Sequence, residues 1–138
     1  MSKIENILFI CKHNRLRRRV AEAYFKKINK NPQNKAKSAG LIRGLYPLSK
    51  NQVRVAREMG MTIEGRPQGL SIKLLKWADY HIITADDVPV SLFNKSEKFG
   101  KKLIIWKIPD AHSKNIPAIM HSIYLIKSKI EDLVKKLS

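Results

Sequence analysis

The sequence predicts an α/β fold, a three-layer sandwich in which a four-stranded parallel sheet has helices on both faces. One observation is a set of short runs of β-branched, aliphatic and aromatic residues, which have the length and composition of strands buried on both faces. A second is that the segments between these runs carry apolar residues at three- and four-residue spacing, which indicates amphipathic helices. Strands that alternate with helices favour a parallel sheet with right-handed crossovers.

The first half of the chain supplies two strands and an intervening helix. Residues 4–10 form the first predicted strand. Helical spacing begins at Arg17, and it places Arg18 and Glu22 on the side that faces water. A second strand is predicted over residues 35–39, and the glycine that follows is expected to end it.

Turn and capping residues separate the remaining elements. Ser49 and Gln52 have the spacing of a capping box, which predicts the start of a helix, and Gly60 suits its end. The other predicted segments are loops at 44–48 and 65–69, a helix at 71–78, strands at 80–84 and 103–106, and a long amphipathic helix over 116–137. The chain shows no repeat, low-complexity tract or linker, so residues 1–138 are expected to form a single domain.

Composition limits the classes of protein to consider. The 28 Lys and Arg against 11 Asp and Glu give a net charge of +17, which indicates an anionic partner. A hydrophobic content of 43% argues against disorder, and no apolar run approaches the roughly 20 residues that cross a bilayer. One cysteine makes no internal disulfide, and the first residues lack a signal peptide pattern. We therefore expect a cytoplasmic protein, monomeric and without a role in membranes.

The single cysteine, Cys11, directly follows the first predicted strand. In an open parallel sheet the ligand site lies beyond the carboxyl ends of the strands, and this turn is a common anchor point. Backbone amides over residues 12–17 are expected to form an anion-binding nest at the start of the next helix. A helix N-terminus with neighbouring guanidinium groups lowers a cysteine pKa from near 8.5 to roughly 3.5 to 7.5. The thiol is thus expected to be a nucleophile at neutral pH.

The arrangement around Cys11 resembles a known family. Cys11, five residues and then Arg17, with Asn14 between them, resemble the signature of low-molecular-weight protein tyrosine phosphatases. Further similar segments, which extend the resemblance over nearly the whole chain, are Ala21-Glu22-Ala23, Ser38-Ala39-Gly40, Trp77-Ala78-Asp79 and Pro109-Asp110. The resemblance implies a sheet order of 2-1-3-4. Arsenate reductases are relatives with the same fold.

The resemblance also implies a reaction and the residues that perform it. The protein would hydrolyse a phosphomonoester, protein phosphotyrosine in the first place, with Cys11 as nucleophile, Arg17 as phosphate clamp and Asp110 as general acid. No metal or cofactor is implied. Asn14 and Ser38 would support the loop. The phosphate-binding residues that the resemblance implies are Lys12, His13, Asn14, Arg15, Leu16, Arg17 and Arg18.

Three positions of the loop depart from the family pattern. This chain has His13 where the family has glycine, Leu16 where it has a second cysteine, and Arg18 where it has serine or threonine. In the family, that hydroxyl hydrogen-bonds the sulfur and stabilises it as a leaving group. Arg18 either points inward and aids the thiolate electrostatically or pairs outward with Glu22 four residues on. We expect a weakened second step.

Other interpretations of these residues stay open. The arginines at positions 15 and 17–19 also suit a solvated basic face, or a phosphate-backbone patch that makes nucleic acid a secondary partner. Asp86, Asp87 and His112 are rival acids in loops, and the four histidines lack the spacing of a zinc site. After Asp110, the residues Ala111 and His112 supply no evident aromatic wall for phosphotyrosine.

Two further functions compete with the phosphatase. One is a catalytically impaired module that binds phosphate without turnover, which Arg18 motivates. The other is an arsenate reductase, and since the chain has one cysteine, it would have to use an external thiol.

Overall fold

A computed structural model describes residues 5–13, 16–42, 49–63, 69–86, 88, 91, 101–109 and 114–137. The predicted loop at 44–48 lies outside these residues, as does the predicted loop at 65–69 apart from Gly69. The described elements, in chain order, are β1 (Asn6–His13), α1 (Leu16–Ile28), β2 (Lys35–Ile42), α2 (Lys50–Glu58), α3 (Ile72–Trp77), β3 (Tyr80–Ile83), β4 (Lys102–Ile105) and α4 (Ile116–Leu137).

The strands form one parallel sheet in the order β2-β1-β3-β4. This confirms the predicted fold class. β1 is central, and its apolar run from Ile7 to Ile10 is fully buried on both faces. Alternate side chains of β1 point to opposite faces of the sheet. Ile7 and Phe9 belong to one hydrophobic cluster, and Leu8 and Ile10 belong to another.

Helices cover each face of the sheet. On one face α1, α2 and α4 contribute buried residues to the larger cluster, among them Phe25, Val55 and Ile123. On the other face the leucines of α3, Leu74 and Leu75, pack against the smaller cluster. The sheet is therefore sandwiched between helical layers, and the carboxyl ends of its strands remain together at one edge.

β1 and β2 are both longer than the sequence predicts. β1 was expected to end at residue 10 and β2 at residue 39, but their ladder continues, with Cys11 opposite Gly40 and His13 opposite Ile42. The prediction that Cys11 lies in the turn is wrong, because pairing with β2 keeps the backbone extended beyond it. Gly40 joins this ladder instead of ending the strand.

Local signals set the ends of the shorter helices. The Ser49 side chain accepts a hydrogen bond from the Gln52 amide at 3.1 Å, and the Gln52 side chain accepts one from the Ser49 amide at 3.1 Å, which completes the predicted capping box. Gly60 follows α2 with φ of +92°, a conformation that glycine adopts without strain. Ser71 caps α3 by accepting from the Leu74 amide at 3.1 Å.

The long helix α4 lies across the first face of the sheet. Its buried stripe is formed by Ile119, Ile123, Ile126 and Ile130, which are fully buried. Met120, whose spacing from Ile116 and Ile123 also suits this stripe, is 48% exposed. Among the described residues, none of the helices combines the length and the apolar character that a membrane span requires.

Candidate active site

Cys11 lies near the carboxyl end of the central strand, at the edge of the sheet where ligand sites of parallel sheets occur. Its side chain is buried, and it packs with the cluster of the second face. Beside it, β3 is held close because Thr84 donates two hydrogen bonds to the carbonyl oxygen of Ile10, from its amide at 2.7 Å and its hydroxyl at 3.1 Å. The position of the thiol is thus fixed by strands on either side.

Three consecutive arginines fill the first turn of α1. Arg17, Arg18 and Arg19 are 3%, 3% and 8% exposed. The interpretation of these three as a solvated basic face is therefore wrong, and so is the prediction that Arg18 faces water. Helical spacing within α1 assigned Arg18 to the outer side, but its hydrogen bond to Ser38 of β2 holds it inward. Arg15 lies outside the described residues.

Arg17 is anchored by groups from two other segments. Its Nη1 atom donates a hydrogen bond to the carbonyl oxygen of Ile108 at 3.1 Å and lies 3.6 Å from Oδ1 of Asp86. The amide of Asp86 donates to the same carbonyl oxygen at 3.1 Å. The three residues therefore join α1, the end of β3 and the segment after β4, and they fix where the guanidinium group sits.

Arg18 connects α1 with β2. Its Nη1 atom donates to Oγ of Ser38, and this hydroxyl donates in turn to Oε1 of Glu22. The pKa of Arg18 is lowered from its ordinary value to about 10, chiefly by burial and to a smaller extent by the charge of Arg19, while the negative charges of Cys11 and Glu22 oppose the shift. A guanidinium group with this pKa is charged at neutral pH.

Arg19 adds a third positive charge to the same region. Burial lowers its pKa, and the charges of Glu22 and the Cys11 thiolate act in the opposite direction. Because each interaction is mutual, the arginines that the thiolate stabilises also stabilise the thiolate. The positive charges of Arg18 and Arg19 therefore interact favourably with a thiolate at Cys11.

The segment after β4 is fixed by hydrogen bonds to the two residues that precede Asp110. The carbonyl oxygen of Ile108 accepts from Arg17, and the carbonyl oxygen of Pro109 accepts from Oγ of Ser122 on α4 at 3.0 Å. Asp110 itself, and the rivals Asp87 and His112, lie outside the described residues. The role of Asp110 as an acid stays a prediction.

The remaining predicted site residues divide into three groups. Lys12 and His13 belong to the strand β1, so their amides are part of an extended strand and not of the nest that was expected over residues 12–17. Asn14 and Arg15 lie outside the described residues, and their phosphate-binding roles stay predictions. Leu16 begins α1 and is buried in the hydrophobic core. Within the described ranges, no group of three or more His, Cys, Asp or Glu side chains is arranged to hold a metal ion.

Two contacts of the site were missed by sequence reasoning. Asp86 was considered only as a rival acid, yet it pairs with Arg17. Its place directly after a buried strand, at the same edge as Cys11, was a usable signal. Ser122 was not considered at all, and a serine inside an amphipathic helix offers no signal that it reaches a loop carbonyl.

Comparison with known proteins gives a family and a set of similar folds. The profile described as Low molecular weight phosphotyrosine protein phosphatase matches residues 6–138. Curated proteins give no match to this chain. The solved structure of Wzb from Vibrio vulnificus in complex with benzylphosphonate has a TM-score of 0.81 and 20% identity, and the alignment covers 97% of this chain and 99% of that one.

Two other solved structures are similar as well. The YwlE arginine phosphatase from Geobacillus stearothermophilus has a TM-score of 0.80 and 22% identity, over 96% of this chain and 92% of that one. An arsenate reductase from Archaeoglobus fulgidus has a TM-score of 0.72 and 21% identity, over 94% of this chain and 98% of that one. At such identities these structures show a shared fold.

The profile match spans the described strands and helices from β1 to α4. It confirms the enzyme class that the sequence predicts, a phosphoric monoester hydrolase of the tyrosine phosphatase type. The chain belongs to the low-molecular-weight phosphotyrosine protein phosphatase family.

Proposed function

We propose that this protein is a cysteine-dependent phosphatase that hydrolyses a phosphomonoester, protein phosphotyrosine in the first place, through a cysteinyl-phosphate intermediate. The observation that carries the proposal is the burial of Cys11 beside the arginines of α1, with Arg17 anchored to the segment that precedes Asp110. In this proposal Cys11 is the nucleophile, the arginines of α1 form the cationic site for the phosphate group, and the segment after β4 carries the acid Asp110.

In the first step, Sγ of Cys11 attacks phosphorus and forms an S–P bond while the bond to the leaving oxygen breaks. The departing oxygen takes a proton from Asp110. Arg17 binds two phosphate oxygens in a bidentate fork, for which its contacts with Ile108 and Asp86 orient the guanidinium group. Charge that builds up on the equatorial oxygens is stabilised by these preorganised donors.

In the second step, water attacks the phosphorus of the cysteinyl phosphate. The Asp110 carboxylate takes a proton from this water, the S–P bond breaks, and orthophosphate and the Cys11 thiolate are released. A thiolate is a good leaving group only when its negative charge is stabilised, and Arg18 and Arg19 carry the nearby positive charges that interact with it.

The experiment that tests the proposal is turnover of p-nitrophenyl phosphate in EDTA by the wild type and by Cys11→Ser. We expect the variant to lose about 1,000-fold or more of the activity, because a serine hydroxyl is a much weaker nucleophile than a thiolate. Ser128→Ala, an exposed change on α4, is the control for handling losses. Equal turnover by the wild type and Cys11→Ser would overturn the proposal.

A second candidate is a phosphate-binding module with impaired turnover, because a buried arginine replaces the hydroxyl that the family has at position 18. Mass spectrometry of the wild type after incubation with p-nitrophenyl phosphate separates the two. A phosphate adduct on Cys11 without sustained turnover would favour the second candidate. Release of arsenite from arsenate on addition of a thiol, without phosphatase activity, would instead favour an arsenate reductase that uses an external thiol.

The substrate is tested by comparing peptides that carry phosphotyrosine with the same peptides carrying phosphoarginine, since solved structures of similar fold include an arginine phosphatase. We expect faster hydrolysis of phosphotyrosine, and faster hydrolysis of phosphoarginine would correct the substrate class. We assign the activity to the cytoplasm, where a single cysteine that no second thiol protects stays reduced.

A further inference from the structure

A cavity of about 450 Å³ lies at the amino ends of the strands, away from Cys11. One wall is the turn between α1 and β2, and the other is the last turn of α4. β2 begins beside this cavity at Lys35, which pairs with Asn6 at the start of β1, whereas Cys11 lies near the other end of β1. Ligand pockets in proteins commonly have volumes of about 300–1,000 Å³. The cavity is therefore large enough for a small molecule, and it is separate from the proposed active site.

The turn between α1 and β2 is held in shape by asparagine side chains. Nδ2 of Asn29 donates to the carbonyl oxygens of Asn31 at 2.7 Å and of Asn34 at 3.2 Å. Oδ1 of Asn29 accepts from the amide of Asn31 at 3.2 Å, and Oδ1 of Asn31 accepts from the amide of Gln33 at 3.0 Å. These bonds form within the protein, so the wall keeps its conformation without a ligand. A preformed wall lowers the entropy that binding costs.

Asn34 brings an unused hydrogen-bond donor to the cavity that it lines. The residue is 5% exposed, and its Oδ1 atom accepts from the backbone amide of Glu5 at 3.0 Å. Because a backbone amide only donates, this contact fixes which end of the side chain is oxygen and leaves the Nδ2 group at the other end. No acceptor bonds to Nδ2 in the part of the chain that the structure describes. Buried polar groups are normally paired, so this donor indicates an acceptor that comes from outside the protein.

The charged side chains of the cavity are positive. Lys30 lies on one wall and Lys135 on the other, and none of the described residues that line the cavity is acidic. Glu131, one turn before Lys135, is not part of the lining and accepts a hydrogen bond from the hydroxyl of Tyr24 at 2.8 Å. An anionic acceptor suits both the donor of Asn34 and the two ammonium groups, since hydrogen bonds to a carboxylate are the stronger kind.

The rest of the lining offers aliphatic surface. Val134 and Leu137 line the cavity from α4, and both are only partly buried against the main hydrophobic cluster. Pro32 contributes the ring of an exposed residue on the facing wall. Apolar surface that remains open in a concave site is covered favourably by an apolar part of a ligand. The lining therefore fits a molecule with an anionic end and an aliphatic body.

We propose that this cavity is a second binding site, for a small carboxylate with an aliphatic body. Nδ2 of Asn34 donates to the carboxylate, Lys30 and Lys135 balance its charge, and Val134 and Leu137 contact the aliphatic part. The inference goes beyond the proposed function, because neither Cys11 nor the arginines of α1 take part. α1 and α4 meet at this cavity only in the folded protein, so the ligand is expected to stabilise the folded state.

The test is an NMR titration of the ¹⁵N-labelled full chain with sodium octanoate. We expect the side-chain amide resonances of Asn34 to shift and to saturate, with a Kd of about 1 mM or tighter for a ligand of this size. The melting temperature Tm should rise with the concentration of octanoate, because the folded state alone binds it. n-Octylammonium, which has the same chain and the opposite charge, should change neither the resonances nor Tm.

Asn34→Asp is the decisive variant. Aspartate keeps an oxygen that accepts from the Glu5 amide and replaces the donor by a negative charge, so Kd for octanoate should rise about tenfold or more. Gln33→Glu is the matched control, because it adds the same charge at an exposed position of the same turn, outside the lining, and keeps the donor. Its effect on Kd should be clearly smaller than that of Asn34→Asp.

Lys30→Gln tests the contribution of charge. We expect Kd to rise about two- to fivefold, as for an ion pair that remains open to solvent. Lys73→Gln, exposed on α3 at the other face of the sheet, is its control and should leave Kd unchanged. If Asn34→Asp does not fold, Lys30→Gln and Leu137→Ser decide the outcome, and wild-type Kd values in both would refute the proposal.

Equal Kd values for the wild type and Asn34→Asp would overturn the proposal, and so would n-octylammonium that binds as tightly as octanoate. Shifts at the arginines of α1 without a shift at Asn34 would place octanoate in the proposed active site and would refute the second site. Asn34 resonances that stay unchanged throughout the titration would mean that water alone satisfies the donor, which also refutes it.

Discussion

Oγ of Ser122 donates a hydrogen bond to the carbonyl oxygen of Pro109 at 3.0 Å. The serine is buried on α4, and the carbonyl belongs to the residue that precedes Asp110. On the neighbouring residue, the carbonyl oxygen of Ile108 accepts from Arg17. Side chains from two different helices thus hydrogen-bond to consecutive carbonyl groups, which aligns this segment relative to Arg17.

Ser122→Ala removes one of these two hydrogen bonds. We expect kcat for p-nitrophenyl phosphate to fall about tenfold, because a small displacement of a catalytic group is costly. The free energy of unfolding should fall by about 0.5–1.5 kcal/mol for the lost hydrogen bond. Ser128→Ala, exposed on the same helix, is the control in both the kinetic and the denaturation measurement. Identical kcat values for the two variants would contradict the positioning of this segment by α4.

Arg17→Lys keeps the positive charge and removes the planar fork. Lysine cannot hold two phosphate oxygens in parallel and also reach the carbonyl oxygen of Ile108, so we expect kcat/KM to fall about 100-fold or more. Steady-state kinetics measure this loss, and Arg57→Lys on the exposed face of α2 controls for the loss of an arginine elsewhere. A loss no greater than that of the control would mean that Arg17 does not clamp phosphate.

Asp110→Asn tests the predicted acid. We expect kcat/KM for phenyl phosphate, which reports the first step, to fall by about 10²–10⁴, the usual contribution of a general acid, and the alkaline limb of its pH profile to disappear. The loss should be smaller for p-nitrophenyl phosphate, whose leaving group needs less protonation. Asp132→Asn, exposed on α4, is the control. If Asp86→Asn or Asp87→Asn removes the alkaline limb while Asp110→Asn keeps it, the acid has been assigned wrongly.

His81 makes the stability of the fold sensitive to mild acid. It is buried on β3 with Nε2 2.9 Å from the carbonyl oxygen of Leu75, and burial lowers its pKa below the ordinary value of 6.5. The hydrogen bond to Leu75 opposes this shift, and Lys101 adds to it. Because the folded state binds this proton less readily than the unfolded state, the contribution to stability is complete above pH 6.5 and is lost as the pH falls through the folded pKa.

We therefore expect the free energy of unfolding of the wild type to decrease from neutral pH into this window. His81→Gln should flatten that dependence, since glutamine keeps a donor for the carbonyl oxygen of Leu75 and does not titrate. Urea unfolding at a series of pH values measures the slopes. His121→Gln, exposed on α4, should leave the slope unchanged. Parallel slopes for the wild type and His81→Gln would show that another group causes the dependence.

The fold was predictable from the sequence because its signals are local. The run at β1, the capping box at Ser49 and the stripe of α4 each act within one element, and the structure agrees with them in type and place. The prediction was wrong where pairing between distant segments determines the length of a strand. β1 continues through His13 because β2 continues beside it, and the sequence around Cys11 contains no sign of that partner.

The same distinction applies to the site. Cys11 and Arg17 could be proposed as site residues because the sequence places them near the end of a strand and the start of a helix. The orientation of Arg18 was not predictable. Helical spacing places Arg18 and Glu22 together on the outer side of α1, and the hydroxyl group that turns Arg18 inward belongs to Ser38 of β2. The pairing of Arg17 with Asp86 likewise depends on the order of the strands, which brings β3 next to β1.

The hydrogen bond between Arg17 and Ile108 also bears on how the protein folds, because it joins residues 91 positions apart in the chain. Closing so long a loop costs more entropy than forming the local contacts of α1, so this link is expected to form late. During synthesis, Cys11 leaves the ribosome long before Ile108. A nascent chain therefore carries its thiol before Arg17 is anchored to Ile108, and this anchoring is expected only as β4 and α4 dock.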